Sequence, residues 1–155
     1  MNGQTDETTR RIVVGVDGSS GSKVALHWAM VQARLIDATV EAIATWEDPA
    51  LYGYSYGWAP ATYEGDSIAT ITAKVLDATI AEVSASLPQP PTVLPRVMEG
   101  HAAQVLPEAA TGAQLLVVGS RGHGTFAGIM LGSVSQHCVQ HAPCAVVVVP
   151  PAHHA

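Results

Sequence analysis

The residues with chemistry to offer are concentrated in one stretch, Gly119 to Ser135, which reads GSRGHGTFAGIMLGSVS. It holds four glycines in ten residues (Gly119, Gly122, Gly124, Gly128), one cation, Arg121, and then a Gly132-Ser133 pair. The apolar run Leu115-Leu116-Val117-Val118 before it has the composition of a buried parallel strand. Gly132-Ser133 reads as the opening of a helix. Strand, glycine loop and helix start together can hold a phosphate. Glycine lets backbone N–H groups approach an anion, and the helix N-terminus adds unpaired donors and a positive dipole end. Ser133 and Ser135 carry hydroxyls that can donate to phosphate, and Ser133 can equally serve as a helix N-cap. At Gly122 a Cβ would meet a phosphate oxygen or force a forbidden backbone angle. Arg121 either neutralises phosphate or is simply solvated.

Two other phosphate motifs fail on the same residues. Gly119-x4-Gly124-Thr125 begins like a Walker A loop, but Thr125 stands where lysine is needed and Phe126 where Ser or Thr should follow. Gly122-His123-Gly124-Thr125-Phe126-Ala127 imitates a dinucleotide fingerprint, which requires an acid at the end of the next strand. That strand ends in Val148-Val149-Pro150 and carries no acid.

A second group of candidates lies near the start. Arg11 to Val16 is an apolar run that ends at Asp17-Gly18-Ser19-Ser20, a strand-to-helix turn in which Ser19 or Ser20 can cap the helix. An ionised Asp17 only accepts hydrogen bonds, so it suits ribose hydroxyls or a magnesium-bound water better than phosphate; otherwise it is a turn residue. His137 and His141 are spaced i, i+4 on the last helix, a geometry that can chelate a metal. No Cys or acid at useful spacing completes that set, so no metal site is expected. His123 is a conceivable phosphate donor.

The elements that must position these residues follow from periodicity. Val24, Trp28, Val31 and Leu35 recur at helical spacing, and Asp37-Ala38 closes that helix. Val40 to Trp46 reads as a second strand. Glu47 to Asp66 holds all four tyrosines, Trp58 and two prolines, and is long for a connection. Its functional reading is an aromatic flap over a planar base, its alternative a loop packed on itself. A long helix is expected from Ser67 to the prolines at 88, 90 and 91. Thr92 to Met98 is a third strand, placed at a sheet edge by Pro95. Ala102 to Thr111 is a short helix that must tolerate Pro107 near its start. Leu115 to Val118, Ser133 to His141 and Cys144 to Val149 are strand, helix and strand. Alternating strands and helices, with strands apolar on both faces, predict a parallel α/β sheet with helices on either side and right-handed crossovers. Ligands in such sheets sit beyond the carboxyl ends of the strands, where Asp17, Trp46 and Gly119 fall.

Composition narrows the classes. The 155 residues suit one domain, taken as 10–150 between a disordered N-terminal tail at 1–9 and a C-terminal tail at 151–155. With 48% hydrophobic and 13% charged residues the chain is apolar-cored, not disordered. A net charge of −6 excludes a nucleic-acid surface, since no basic stripe exists to neutralise a backbone. No long apolar run suggests a membrane span, and the expectation is a cytoplasmic protein. Cys138 and Cys144 read as reduced thiols.

The spacing Gly119-x2-Gly122-x9-Gly132-Ser133 resembles the ATP-binding signature of the universal stress protein family. The likeness runs from IVVGVDGS through GHAAQVLPEAA to the final valine strand, leaving out the tyrosine-rich loop and the tails. It implies a Rossmann-like open parallel sheet of five strands in the order 3-2-1-4-5. It implies ATP as ligand, with Mg2+ as its companion ion. Gly15, Val16 and Asp17 would line the nucleoside end, and the backbone near Thr45 would meet the adenine edge. Gly119, Gly122, Gly132, Ser133, Val134 and Ser135 would hold ribose and phosphates, with Arg121 beside them.

Three functions remain to be weighed: a nucleotide-dependent regulatory module acting on an unknown protein partner, a slow ATPase or phosphoryl-transfer enzyme, and a chaperone-like scaffold. Phosphoryl transfer needs metal clamping and a positioned base, and Arg121 with Asp17 is thin equipment. Some members of the family bind cAMP, which the resemblance leaves open here. The strand Ala145–Val149 has no charge, proline or glycine to protect an unpaired edge, so a homodimer through it is expected, as the family also implies.

Overall fold

The computed structural model describes residues 10–48, 65–122 and 131–151. Their order is β1 (Arg11–Gly15), α1 (Ser20–Ile36), β2 (Thr39–Trp46), α2 (Gly65–Ala85), β3 (Val93–Glu99), α3 (Ala102–Ala109), β4 (Leu115–Gly119), α4 (Ser133–His141) and β5 (Ala145–Val149). All four strand pairings are parallel, and the sheet order is β3-β2-β1-β4-β5. Pro95 therefore sits on an edge strand, opposite Ala42, where its missing N–H breaks no ladder on the open side.

Alternation along the strands divides the core into two layers. Ile12 and Val14 of β1, with Val40, Ala42 and Ala44 of β2, meet α1 and α2 through Leu26, Met30, Leu76 and Val83. Val13, Ile43, Leu116 and Val118 face the other way, against Val105 and Leu106 of α3 and Cys138 of α4. Covering both faces is what a parallel sheet requires, and it explains the unbroken apolar runs of β1, β4 and β5.

Local signals set the helix ends. The Ser19 side chain caps α1 by accepting from the Ser22 N–H at 3.2 Å, and Asp37 in the left-handed region (φ 56) ends it. At α3 the cap is an imidazole, His101 Nδ1 accepting from Ala103 N–H at 3.1 Å. This helix stops at Ala109 instead of Thr111, and Pro107 falls in its last turn, not near its start.

One buried charge in β2 was not legible in the sequence. Glu41, 6% exposed, pairs with Arg11 of β1 (2.8 Å) and with Arg96 of β3. Arg11 also donates to the carbonyls of Ala109 (3.0 Å) and Thr111 (2.7 Å), tying the sheet to the turn after α3. Burial by itself would raise the Glu41 carboxyl; the hydrogen bonds and charges of Arg11 and Arg96 outweigh it and hold the group below the usual carboxylate range.

Candidate functional site

The strand ends at Gly15, Thr45 and Gly119 open onto a pocket of about 250 Å³. It lies where the sheet order reverses, between β1 and β4, with α1 leaving one strand and the glycine loop leaving the other.

Its first wall is anchored by buried Ser120. The Ser120 N–H donates to Val149 O at 2.9 Å, which extends the β4–β5 ladder by one residue. Its carbonyl accepts from Gly132 N–H at 2.7 Å and from the Ser135 hydroxyl at 3.2 Å. The chain thus leaves β4 and is buckled back at the start of α4. Gly132 is the N-cap, in extended conformation (φ −72, ψ 168), and among the described residues no side chain caps the helix. The first bond to the cap carbonyl comes from Gln136 N–H at 3.0 Å. The N–H groups of Ser133, Val134 and Ser135 precede it, and all three residues line the pocket. They are the orphan donors of a helix start, at its positive dipole end.

Two readings of the serines change. Ser133 is the first helical residue and exposed, so it is not the N-cap. Ser135 is 2% exposed, and its one hydroxyl proton is shared between Gly132 O (2.9 Å) and Ser120 O (3.2 Å). Its hydroxyl is a strut that fixes the turn and is not a free donor. That leaves Ser133 with the available hydroxyl.

The second wall is the turn after β1. Asp17 Oδ1 accepts from the N–H of Ser19 at 2.9 Å and from its hydroxyl, so the turn role is realised. Asp17 lines the pocket at the same time, with Oδ2 2.9 Å from where a Cβ on Gly122 would stand. Gly122 has no left-handed backbone angle; what crowds it is the Asp17 carboxylate, which corrects the backbone argument for that glycine. The backbone approach is instead at Gly119, whose Cβ would meet Gly21 O at 3.0 Å, and at Gly21, whose Cβ would meet Arg121 O at 2.6 Å. There the first turn of α1 touches the loop, with no room for side chains between them.

The floor is apolar. Val16, Ile43, Leu106 and Val118 are all buried, and Ala102 and Gly15 complete it. Among the described lining residues Asp17 and Arg121 alone carry full charge. The arrangement can seat a flat apolar group on the floor and an anion at the start of α4.

All eleven residues singled out from the sequence line this pocket: Gly15, Val16, Asp17 and Thr45 from the first half, Gly119, Arg121, Gly122 and Gly132 to Ser135 from the second. Sequence reading missed Ser19, Ser22, Ile43, Ala102, Leu106 and Val118. Ser22 closes the α1 turn, its hydroxyl donating to Ser19 O at 3.0 Å and accepting from Asp17 N–H at 3.3 Å. The aromatic flap and the role of His123 fall on 49–64 and 123–130, outside the described residues. Cys138 is no nucleophile for the site: burial pushes its thiol up to about 11.

Comparison with known proteins bears on this pocket. The model of the universal stress protein family matches residues 8–150. A universal stress protein of Mycobacterium tuberculosis is 32% identical over 145 residues, covering 89% of this chain and 46% of its own length. One from Mycolicibacterium smegmatis is 33% identical over 141 residues, covering 90% of this chain and 45% of its own length. The chain thus spans about half the length of these curated relatives. Among solved structures, a universal stress protein in complex with cAMP superposes with a TM-score of 0.64 at 24% identity, covering 92% of this chain and 98% of its own. The universal stress protein of Archaeoglobus fulgidus in complex with dAMP gives 0.62 at 19% identity, with coverages of 92% and 98%.

Proposed function

Because this chain belongs to the universal stress protein family, we propose that its pocket binds an adenine nucleotide, ATP with Mg2+, and that occupancy acts as a regulatory signal in a cytoplasmic stress response. The observation that carries the reading is the helix start at Ser133, Val134 and Ser135, uncapped by any side chain among the described residues and held in the pocket by the Ser120–Gly132 buckle. Such a cradle selects an anion and needs no lysine to do so. The apolar floor suits a purine, and the two related structures in complex with cAMP and dAMP point to adenine.

Charge favours a regulatory role over a catalytic one. Among the described residues Arg121 is the single cation on the wall, and one oxygen of the single carboxylate, Asp17, is committed to Ser19. A phosphoryl-transfer site needs a metal clamp and a positioned base besides. Assembly as a homodimer through β5 and action on a protein partner belong to the same proposal. Calorimetry with ATP, ADP and cAMP on the wild type and on Gly122→Val tests it. The valine would crowd Asp17 Oδ2, a side-chain atom that can turn away, so the fold survives while the phosphate approach is filled. Tight binding by the wild type that is lost in the variant supports the reading. Failure of the wild type to bind any of the three, or unchanged affinity in the variant, defeats it.

A further inference from the structure

We propose that His137 and His141, on the outer face of α4, form a two-imidazole site for a borderline divalent transition-metal ion such as Ni2+ or Zn2+. The site is separate from the nucleotide pocket and does not rest on the reading of that pocket. The spacing supplies two ligands and no third, so the sequence predicts no metal site; the structure brings the two rings together. Their ring centroids lie 4.2 Å apart with the planes tilted by 36°. Neither ring is buried, and among the described residues neither makes an ion pair or hydrogen bond to the protein. Two imidazoles one helical turn apart can direct nitrogens at one ion, as in metal sites built on an i, i+4 histidine pair.

Three features lower the cost of closing the chelate. The helix backbone is already fixed, because Cys138 (0% exposed) and Ser135 (2%) anchor the opposite face of α4 in the core. No salt bridge or cap has to be broken to free either ring. The pair also ends at His141, the last residue of α4, where the unpaired carbonyls and the negative dipole end favour a cation. Imidazole nitrogen selects Ni2+, Cu2+ or Zn2+ over Mg2+ and Ca2+, which prefer oxygen. Among the described residues no group of three or more His, Cys, Asp or Glu is gathered, so water fills the remaining coordination positions and exchange is fast.

The test uses Ni2+ alone, which suits imidazole and avoids the thiol oxidation that Cu2+ would bring. Chelation across a turn exists only while α4 is folded, so the metal must raise the thermal midpoint; the tail histidines His153 and His154 could bind Ni2+ without doing so. Each variant is compared with its own metal-free midpoint. The wild type and the His153→Gln, His154→Gln pair should gain several degrees with millimolar Ni2+ and none with Mg2+. His137→Gln or His141→Gln alone should weaken Ni2+ binding at least roughly tenfold, as expected when one of two ligands goes. The double variant should show no shift. A midpoint that still rises in His137→Gln, His141→Gln overturns the proposal, as does a wild-type midpoint that never moves. A shift lost in the tail variant also overturns it, because the site would then not be made by two imidazoles of α4.

Discussion

Replacing Ser133 and Ser135 with alanine, one at a time, should separate binding from stability within the first turn of one helix. The Ser135 hydroxyl is buried and donates to Gly132 O and Ser120 O. Removing it orphans neither carbonyl, since Ser120 O keeps the Gly132 N–H and Gly132 O keeps the Gln136 N–H. The cost is then one net hydrogen bond, about 1 kcal/mol, which for a chain of this size lowers the midpoint by roughly 2–4 °C. Ser133 is exposed at the first helical position, so its truncation should move stability by no more than about 0.5 kcal/mol. Its hydroxyl is the one free to reach a bound phosphate. A hydrogen bond to a charged group is worth about 1.5–3 kcal/mol; at this open position the lower end applies, roughly a tenfold loss of affinity. Thermal unfolding followed by circular dichroism without nucleotide, and ATP titration by calorimetry, read the two quantities independently. If Ser133→Ala melts as early as Ser135→Ala, or binds ATP as well as the wild type while Ser135→Ala does not, the assignment of strut and donor is wrong.

The other expectations are briefer. Glu41→Gln should cost about 2 kcal/mol at neutral pH, less than a fully buried pair because Arg96 is 47% exposed and can be rehydrated. The Glu41 carboxyl is held low in the fold, so its contribution is complete above the unfolded value and vanishes as pH falls through the folded one. Denaturant midpoints of wild type and variant should accordingly converge in acid, and a constant gap would rule out the charge as the cause. A thiol reagent at neutral pH should label half-buried Cys144 before Cys138, which reacts only on unfolding; equal rates in mass spectra would contradict the burial argument. At β5 the Val149 carbonyl points to β4, so by strand alternation Val147 also faces β4 while Val148 faces the open edge. Val147→Pro should therefore destabilise the fold, and Val148→Pro should give a folded monomer by sedimentation. A wild type that sediments as a monomer at about tens of micromolar removes the dimer from the proposal.

The strand–helix alternation, the parallel sheet and the edge position of β3 were legible because each has a local cause. Valine-rich runs need cover on both faces, and Pro95 lacks a donor. The glycine loop was legible for a related reason: glycines and hydroxyls beyond the carboxyl ends of strands mark where a backbone must stay open, as at Gly119 and Gly132, whereas Gly15, Val16, Thr45 and Val134 came from the family resemblance. The sequence could not rank the hydroxyls. Ser133 and Ser135 are equivalent in composition, and which one is a strut depends on Ser120 O, fifteen residues from Ser135 and brought there by the β4–β5 ladder. Nor could it show that Gly21 matters as much as Gly119, since the two meet only when α1 docks beside β4. Glu41 was silent for the same reason. A carboxylate inside a strand looks like an error of pattern until Arg11 and Arg96 arrive from the strands on either side. Local chemistry fixed the elements and the kind of site; contacts between residues far apart in the chain decided which atoms remain available to a ligand.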